Sequence, residues 1–173
     1  MKQLLLIILC FHSLLGFNQS TNDNDTLFAF LNEPIKSSTV VYYAPVGNNA
    51  FFTIDNPNDD FYQIILIKKR FNRYYVKIRN LSINDFYVRY GWINCSSAGI
   101  GFTHNNIEVF EKPTEKSNSY KLTIQSEAVI ATVLDYDKKG WMKVSFYWNN
   151  SRHIGWIPKK YQCSNAFTMC CGS

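Results

Sequence analysis

Residues 140–157 read GWMKVSFYWNNSRHIGWI, a stretch in which apolar and polar side chains alternate. Side chains of a β-strand point in turn to the two faces of a sheet, so a period of two predicts strands. Every second side chain from Met142 to Trp148 is apolar, and Asn149 and Asn150 then provide a turn signal. The stretch therefore predicts a strand with one face on a core, then a turn, then a second strand.

The same kind of unit occurs earlier in the chain, which indicates an internal duplication. Three blocks recur in the same order, at separations of 68, 66 and 64 residues. They pair residues 41–45 with 109–113, 75–78 with 141–144, and 91–93 with 155–157. One short match arises by chance, whereas three in order favour two copies of a unit of about 60 residues, near the lower size for a single core.

Composition and charge narrow the class of protein. The chain contains 13 phenylalanines and 11 tyrosines, and its 16% aromatic content is typical of a β protein. The formal net charge is +5, but the basic residues are scattered along the chain. The one tight basic run, Lys68–Arg70, is interpreted as a solvated turn, with weak attraction to anionic surface polymers as the alternative. A nucleic-acid partner is therefore not expected.

The N-terminus carries the pattern of a secretory signal peptide over residues 1–20. A positive charge at Lys2 precedes an apolar run from Leu4 to Phe11, which is too short to span a bilayer. An uncleaved anchor or a buried N-terminal helix is the alternative. We expect a secreted or periplasmic protein without an integral membrane span, in which residues 21–38 form a flexible leader.

Four cysteines follow the signal segment, namely Cys95, Cys163, Cys170 and Cys171. An oxidising compartment favours disulfides, and four cysteines allow three pairings. A bond between the neighbours Cys170 and Cys171 would strain the backbone. We predict a Cys163–Cys170 bond that pins the C-terminal tail, residues 164–173, with Cys95–Cys171 as the second pairing. The spacings of a zinc site do not occur, so neither a metal nor another cofactor is expected.

The repeated blocks resemble bacterial SH3-like domains. In that family a Trp-x-Lys-Val strand precedes a closing Gly-Trp-Ile/Val strand, as residues 140–144 and 154–157 do here. The first copy is looser, since Arg73 replaces the glycine and Tyr75 replaces the tryptophan. The resemblance covers residues 40–162 and implies an all-β protein with two small, strongly bent SH3-like β-barrels in tandem.

The resemblance also implies where the modules lie and what they do. The first module spans residues 39–98, the second spans 104–163, and residues 97–106 link them. Modules of this family often bind cell-wall peptides or tether exported enzymes. The implied function is an exported, non-enzymatic binding module for cell-wall peptide or glycan, or for another envelope component. A structural or inhibitory protein that binds a protein partner is the alternative.

Two aromatic side chains that the repeat aligns are candidate ligand contacts. Tyr75 and Trp141 fall on the strand side opposite the apolar set, beside Lys77 and Lys143. An aromatic ring next to a lysine on an outer face suits a peptide or a glycan. Cover by a neighbouring strand or by the other module is the alternative. Tyr43 is a further candidate, because it and the preceding tyrosine point to opposite faces of one strand.

Two glycine–tryptophan pairs, Gly91–Trp92 and Gly155–Trp156, are interpreted as structural. A glycine allows another backbone to approach closely. We therefore expect both tryptophans to pack at the barrel seam and not to contact ligand.

A cell-wall cysteine peptidase is the remote alternative. Residues 94–99 faintly resemble the Asp-Cys-Ser-Gly-Phe-like nucleophile motif of such enzymes, and His153 lies downstream. Their nucleophile needs a helix N-terminus to lower the pKa of its thiol, and the residues after Cys95 are a poor helix. We therefore expect no enzymatic activity.

Overall fold

The computed structural model describes residues 26–32, 37–55, 62–81, 88–102, 105–124 and 129–164. Within these ranges the chain is mostly β-strand, with two three-residue 3₁₀ segments, and the predicted all-β class is confirmed. No helix in this part of the chain is long and apolar enough to cross a membrane. The signal peptide predicted for residues 1–20 lies outside the described residues.

Thirteen strands are present among the described residues, and a 3₁₀ segment follows the sixth and the twelfth. The strands are β1 Leu27–Leu31, β2 Ser38–Tyr42, β3 Ala50–Asp55, β4 Tyr62–Arg70, β5 Arg73–Asn80, β6 Val88–Asn94, β7 Ala98–Phe102, β8 Asn106–Phe110, β9 Ser119–Thr123, β10 Ala131–Tyr136, β11 Met142–Trp148, β12 Ser151–Ile157 and β13 Gln162–Cys163. The 3₁₀ segments are Cys95–Ser97 and Lys159–Tyr161.

The strands pair in one antiparallel path with the order β3-β2-β6-β5-β4-β1-β7-β10-β11-β12-β8-β9, and β13 pairs with β7. The path is open, with β3 at one end and β9 at the other. Hydrogen bonding between the described strands therefore does not close either half into a barrel, and in this respect the barrel expectation is wrong. We call β2–β6 the first half and β8–β12 the second half.

The two halves repeat the same strand order, since β3-β2-β6-β5-β4 corresponds to β9-β8-β12-β11-β10. Each half also continues into a 3₁₀ segment and a further strand, β7 or β13. The duplication inferred from the three sequence blocks therefore has a structural counterpart in strand pairing.

One glycine in each half, in β6 or β12, lies at the same register position and packs closely on a neighbouring strand, and we call the two the register glycines. Gly91 lies opposite Val76 in the first half, and Gly155 lies opposite Val144 in the second. A Cβ atom on Gly91 would lie 2.2 Å from a methyl group of Val41, so a larger residue here would require the Val41 side chain to shift. The same contact in the second half would measure 2.4 Å.

This register corrects the sequence alignment of the repeat by two residues. Because Val76 corresponds to Val144, Tyr75 corresponds to Lys143 and not to Trp141. Trp141 instead corresponds to Arg73. The alignment of 75–78 with 141–144 matched lysines with lysines and aliphatic residues with aliphatic residues. A shift of two residues along a strand leaves every side chain on the same face, so the alternation of the sequence does not reveal this error.

Two segments expected to lack regular structure are strands. Residues 21–38 were expected to form a flexible leader, yet β1 lies within them and pairs with β4 and β7. Residues 97–106 were expected to form a linker, yet β7 lies there and pairs with β1, β10 and β13. Both expectations are wrong for Leu27–Leu31 and Ala98–Phe102, because Ala29, Ala98 and Ile100 are fully buried apolar side chains that hold these strands in the core.

The buried side chains of the two halves form one apolar cluster. It includes Val76 from the first half, Val144 from the second and Ile100 from β7 between them. Since β7 pairs with strands on both sides, the halves share a core and do not pack as two independent ones.

Candidate binding surface

A row of aromatic side chains crosses the outer face of the first half. Lys68 of β4 is opposite Tyr75 of β5, Tyr75 is opposite Trp92 of β6, and Trp92 is opposite Tyr42 of β2. We call these four residues the aromatic row. Directly opposite residues of antiparallel strands lie on the same face of a sheet, so the row is a continuous surface feature.

Ring and ammonium contacts join the members of the aromatic row. The rings of Tyr75 and Trp92 lie 5.3 Å apart between centroids. Lys68 Nζ lies 5.0 Å from the centroid of Tyr75 and 5.4 Å from that of Trp92. A cation within about 6 Å of a ring face is attracted by the quadrupole of the ring. The lysine charge is thereby held over the aromatic surface.

Arg73 fixes one end of the row. Its guanidinium carbon lies 3.5 Å from the ring centroid of Tyr42. The same side chain donates a hydrogen bond of 3.0 Å from Nη1 to the carbonyl of Ala44 and one of 3.4 Å from Nε to Oδ1 of Asn94. Arg73 is buried, so it braces the row and does not offer its charge to solvent.

The accessible part of this face lies at the opposite end from Arg73. Tyr90 is 45% exposed and stacks on Tyr75 at 6.3 Å, with 27° between the ring planes. Lys77 lies opposite Tyr90 and is half-buried, as is Tyr75, whereas Lys68 is exposed. Two tyrosine faces and two lysines are thus presented together.

Two of the five predicted ligand contacts, Tyr75 and Lys77, lie on this surface. Tyr43 is 65% exposed but packs at 4.4 Å against Phe51 of β3, away from the row. The sequence did not reveal Lys68 or Tyr90 as members, because their proximity to Tyr75 depends on strand register.

Trp141 does not form an exposed platform, and that prediction is wrong. Only 8% of its surface is accessible, because its ring packs edge-to-face on Phe110 with 5.1 Å between centroids. Its backbone N–H donates to the carboxylate of Asp137 at 2.9 Å, within a turn that ends at Gly140 with a φ of 88°. Trp141 does point away from the apolar set, as predicted, but an aromatic neighbour covers it.

The second half keeps the tryptophan of the aromatic row and has different side chains at the other three positions. Asp135, Lys143, Trp156 and Phe110 stand where the first half has Lys68, Tyr75, Trp92 and Tyr42. Lys143 is half-buried between Asp135 and Trp156.

The structural role of the two glycine–tryptophan pairs stays a prediction. Gly91, Trp92 and Gly155 are buried, and Trp156 is half-buried. Trp92 nevertheless packs under Tyr75 and Lys68, so it supports the candidate surface as well as the sheet.

A polar contact joins the first half to β10. The hydroxyl of Tyr74 donates to the carbonyl of Val133 at 3.2 Å. Lys69 Nζ donates to the carbonyl of Leu134 at 2.7 Å and lies 3.3 Å from Oδ1 of Asp135. Burial raises the pKa of Tyr74, so its hydroxyl remains a donor at neutral pH. We call these residues the inter-half contact.

Cys95 lies beside the inter-half contact and is a free, buried thiol. Its predicted bond to Cys171 is therefore wrong. Interaction with Cys95 helps to raise the pKa of Tyr74, after the larger effect of burial. Cys163 is buried where β13 pairs with β7, whereas Cys170 and Cys171 lie outside the described residues. The Cys163–Cys170 bond stays a prediction.

The environment of Cys95 does not favour a nucleophile. Burial raises the pKa of the thiol, whereas a catalytic cysteine needs a lowered one. Cys95 begins a 3₁₀ segment of only three residues, and the ring of His153 stacks on Phe146 at 5.3 Å and contacts Tyr120 at 5.8 Å. Among the described residues there is no group of three histidine, cysteine or acidic side chains that could hold a metal.

No protein family matches the sequence, and no curated protein is similar to it. Among solved structures with a distant similarity are two proteins from one organism. NlpC2 from Trichomonas vaginalis is 11% identical with a TM-score of 0.33, and the match covers 82% of this chain and 49% of that one. NlpC1 from the same organism is 12% identical with a TM-score of 0.33, covering 83% and 47%. The chain spans about half the length of these proteins, and a similarity this low assigns it no family or activity.

Proposed function

We propose that this chain is an exported, non-enzymatic binding protein of the cell envelope, built from a duplicated SH3-like unit. The observation that carries the proposal is the aromatic row with its accessible end at Tyr75 and Tyr90. Aromatic rings held rigidly on a sheet offer a large contact area at little cost in conformational entropy. A rigid aromatic surface of this kind serves recognition.

The charges on this surface favour a cell-wall peptide as the ligand over a neutral glycan. Lys68 and Lys77 flank Tyr75 and place two positive charges on the accessible part of the surface. Short apolar groups of a peptide would lie on the rings while its carboxylates meet the lysines. The proposed ligand is therefore a short, acidic peptide with small apolar side chains.

Titration of the mature protein with soluble cell-wall peptides tests the proposal, with tryptophan fluorescence and calorimetry as readouts. Trp92 lies directly against Tyr75, so ligand on the row should perturb indole emission. Tyr75→Ala should weaken binding about tenfold, the effect of losing one well-packed aromatic contact.

Matched variants in the second half serve as controls. Lys143→Ala is the control for Tyr75→Ala, because Lys143 corresponds to Tyr75. Ile154→Ala is the control for Tyr90→Ala, because Ile154 corresponds to Tyr90 and is equally exposed. Both controls should retain the wild-type affinity. Absence of binding by the wild-type protein, or an equal loss in the variants of the two halves, would refute the proposal.

A further inference from the structure

A second surface, separate from the aromatic row, is a groove where the two halves meet. The groove has a volume of about 1470 Å³. Asn72 and Ser96 line it from the first half and its following 3₁₀ segment, and Thr132, Ser145, Tyr147 and Arg152 line it from the second. Sites for small ligands typically occupy about 300–1,000 Å³, so this groove suits an oligomer.

The groove is lined mainly by uncharged hydrogen-bonding groups. The lining combines hydroxyl and amide side chains from both sides of the groove with apolar side chains. Tyr147 is 71% exposed and presents an aromatic face at the rim. Among the described residues that line the groove, Arg152 alone carries a formal charge. These groups match a ligand rich in hydroxyls, with apolar C–H faces and a negative charge at one place.

Arg152 is held in position by its neighbour on β11. Its Nε donates to Oγ of Ser145 at 2.9 Å. That bond uses one of the five N–H donors of the guanidinium, and the other four are on its two Nη atoms. A planar, oriented guanidinium favours a carboxylate, which it binds through two parallel hydrogen bonds.

The backbone around the groove argues against a peptide added as a further strand. β11 pairs with β12 along its whole length and with β10 from Met142 to Ser145. The carbonyls of Val133 and Leu134 on β10 accept hydrogen bonds from Tyr74 and Lys69 of the first half. Strand addition needs an unpaired edge, so recognition along Met142–Ser145 of β11 falls to side chains.

From these observations we propose that the groove binds an oligosaccharide that carries carboxylate groups. Hydroxyls of the sugar exchange hydrogen bonds with the serine, threonine and asparagine side chains, a sugar ring lies on Tyr147, and one carboxylate pairs with Arg152. Since Asn72 and Ser96 belong to one side of the groove and Arg152 to the other, the bound chain contacts both halves. This site does not depend on the aromatic row.

Calorimetric titration with a tetramer of galacturonic acid and with its methyl ester tests the proposal. The two probes share their hydroxyls and differ in charge. The acid should bind about tenfold more tightly than the ester, the effect of one charge-assisted pair. Arg152→Ala should abolish that difference, and Tyr147→Ala should weaken both probes by a similar factor.

Tyr43→Ala is the control, because Tyr43 is similarly exposed but lies on the β2–β3 side of the first half. It should bind both probes as the wild type does, and so should Tyr75→Ala on the aromatic row. Failure of the wild type to bind the acid would overturn the proposal, as would equal binding of acid and ester. Equal binding of an oligoglutamate of the same charge would also overturn it, because charge alone would then explain the affinity. Peptide binding by Tyr75→Ala tests only the aromatic row, and oligosaccharide binding by Arg152→Ala tests only the groove. Either proposal can therefore be refuted without affecting the other.

Discussion

The two halves use one backbone arrangement to support two different outer faces. In the first half the guanidinium of Arg73 covers Tyr42, and in the second the indole of Trp141 covers Phe110 at the corresponding positions. One contact is cation–π and the other is an edge-to-face aromatic pair. Both cover the ring on the β2 or β8 strand, which shows that duplication has kept the geometry while changing the chemistry.

This difference confines the full aromatic row to the first half. Lys68 and Tyr75 of the first half correspond to Asp135 and Lys143 of the second, and Asp135 is already engaged with Lys69. In the second half, the acidic residue at this position, Asp135, therefore forms an ion pair with the first half. The predictions below test this contrast through matched substitutions.

The largest effect is expected for Trp141→Ala, which should lower the free energy of unfolding by about 4 kcal/mol, as the loss of a buried tryptophan does. Arg73→Ala, its counterpart, should cost about 2 kcal/mol, since it loses a cation–π contact and two hydrogen bonds. Chemical denaturation of both variants measures the pair. Equal costs would contradict the different chemistry assigned to the two positions.

A smaller contrast is expected between the two register glycines. Gly155→Ala would place Cβ 2.4 Å from a methyl of Val109 and 2.9 Å from the carbonyl oxygen of Phe110. We expect a loss of about 3 kcal/mol in unfolding free energy. Gly91→Ala should cost about 2 kcal/mol, because its nearest carbonyl oxygen is 3.5 Å away and only a side chain must shift.

Gly101→Ala is the control for the register glycines. A Cβ there would lie 3.7 Å from its nearest neighbour, an ordinary van der Waals distance. Thermal unfolding should show little change for this variant. A loss as large as that of Gly155→Ala would show that any added methyl group in this sheet is destabilising.

The inter-half contact should have a moderate effect on stability. Tyr74→Phe removes the hydroxyl that donates to the carbonyl of Val133 and leaves that acceptor buried, which should cost about 1.5 kcal/mol. Tyr75→Phe changes a half-buried neighbour that faces the opposite side and should cost less than about 0.5 kcal/mol. Urea denaturation of the two variants compares them, and a reversed order would contradict the assigned hydrogen bond.

The smallest effect is expected from alkaline pH acting on Tyr136, which packs against Tyr74. Burial and the nearby Asp135 raise the pKa of Tyr136 to about 12, above its ordinary value of about 10. The unfolded chain therefore loses this proton first, so the stabilisation is complete below pH 10 and is lost as pH rises towards 12. Tyr136→Phe should reduce the fall in unfolding free energy over this window. Denaturation at pH 9, 10 and 11 measures it, and an unchanged dependence of the unfolding free energy on pH would contradict the assignment.

Alternation and repetition in the sequence were sufficient to predict the all-β class and the duplication. The face of each side chain in β11 followed from its period of two, and Trp141 does point away from the core. Its burial did not follow, because it depends on Phe110, which reaches it only through the pairing of β8 with β12.

The remaining errors arise from long-range pairing. β1 and β7 are short apolar segments, and each becomes a strand only because distant strands supply its hydrogen bonds. The alignment error of two residues at Tyr75 preserved every side-chain face, so the pattern contained nothing that would reveal it. Lys68 and Tyr90 joined the candidate surface for the same reason: cross-strand neighbours are fixed by register.

The position of β7 between the two halves has a consequence for the order in which the chain folds during synthesis. A nascent chain emerges from the ribosome N-terminus first, so β1 must wait for β7 before its second edge is paired. Once Phe102 has emerged, β7 completes the first copy and presents a ready template on which β10 and β13 later assemble. Limited proteolysis of chains stalled at successive lengths should show partial protection of β1 once β4 has emerged and full protection only once β7 has emerged.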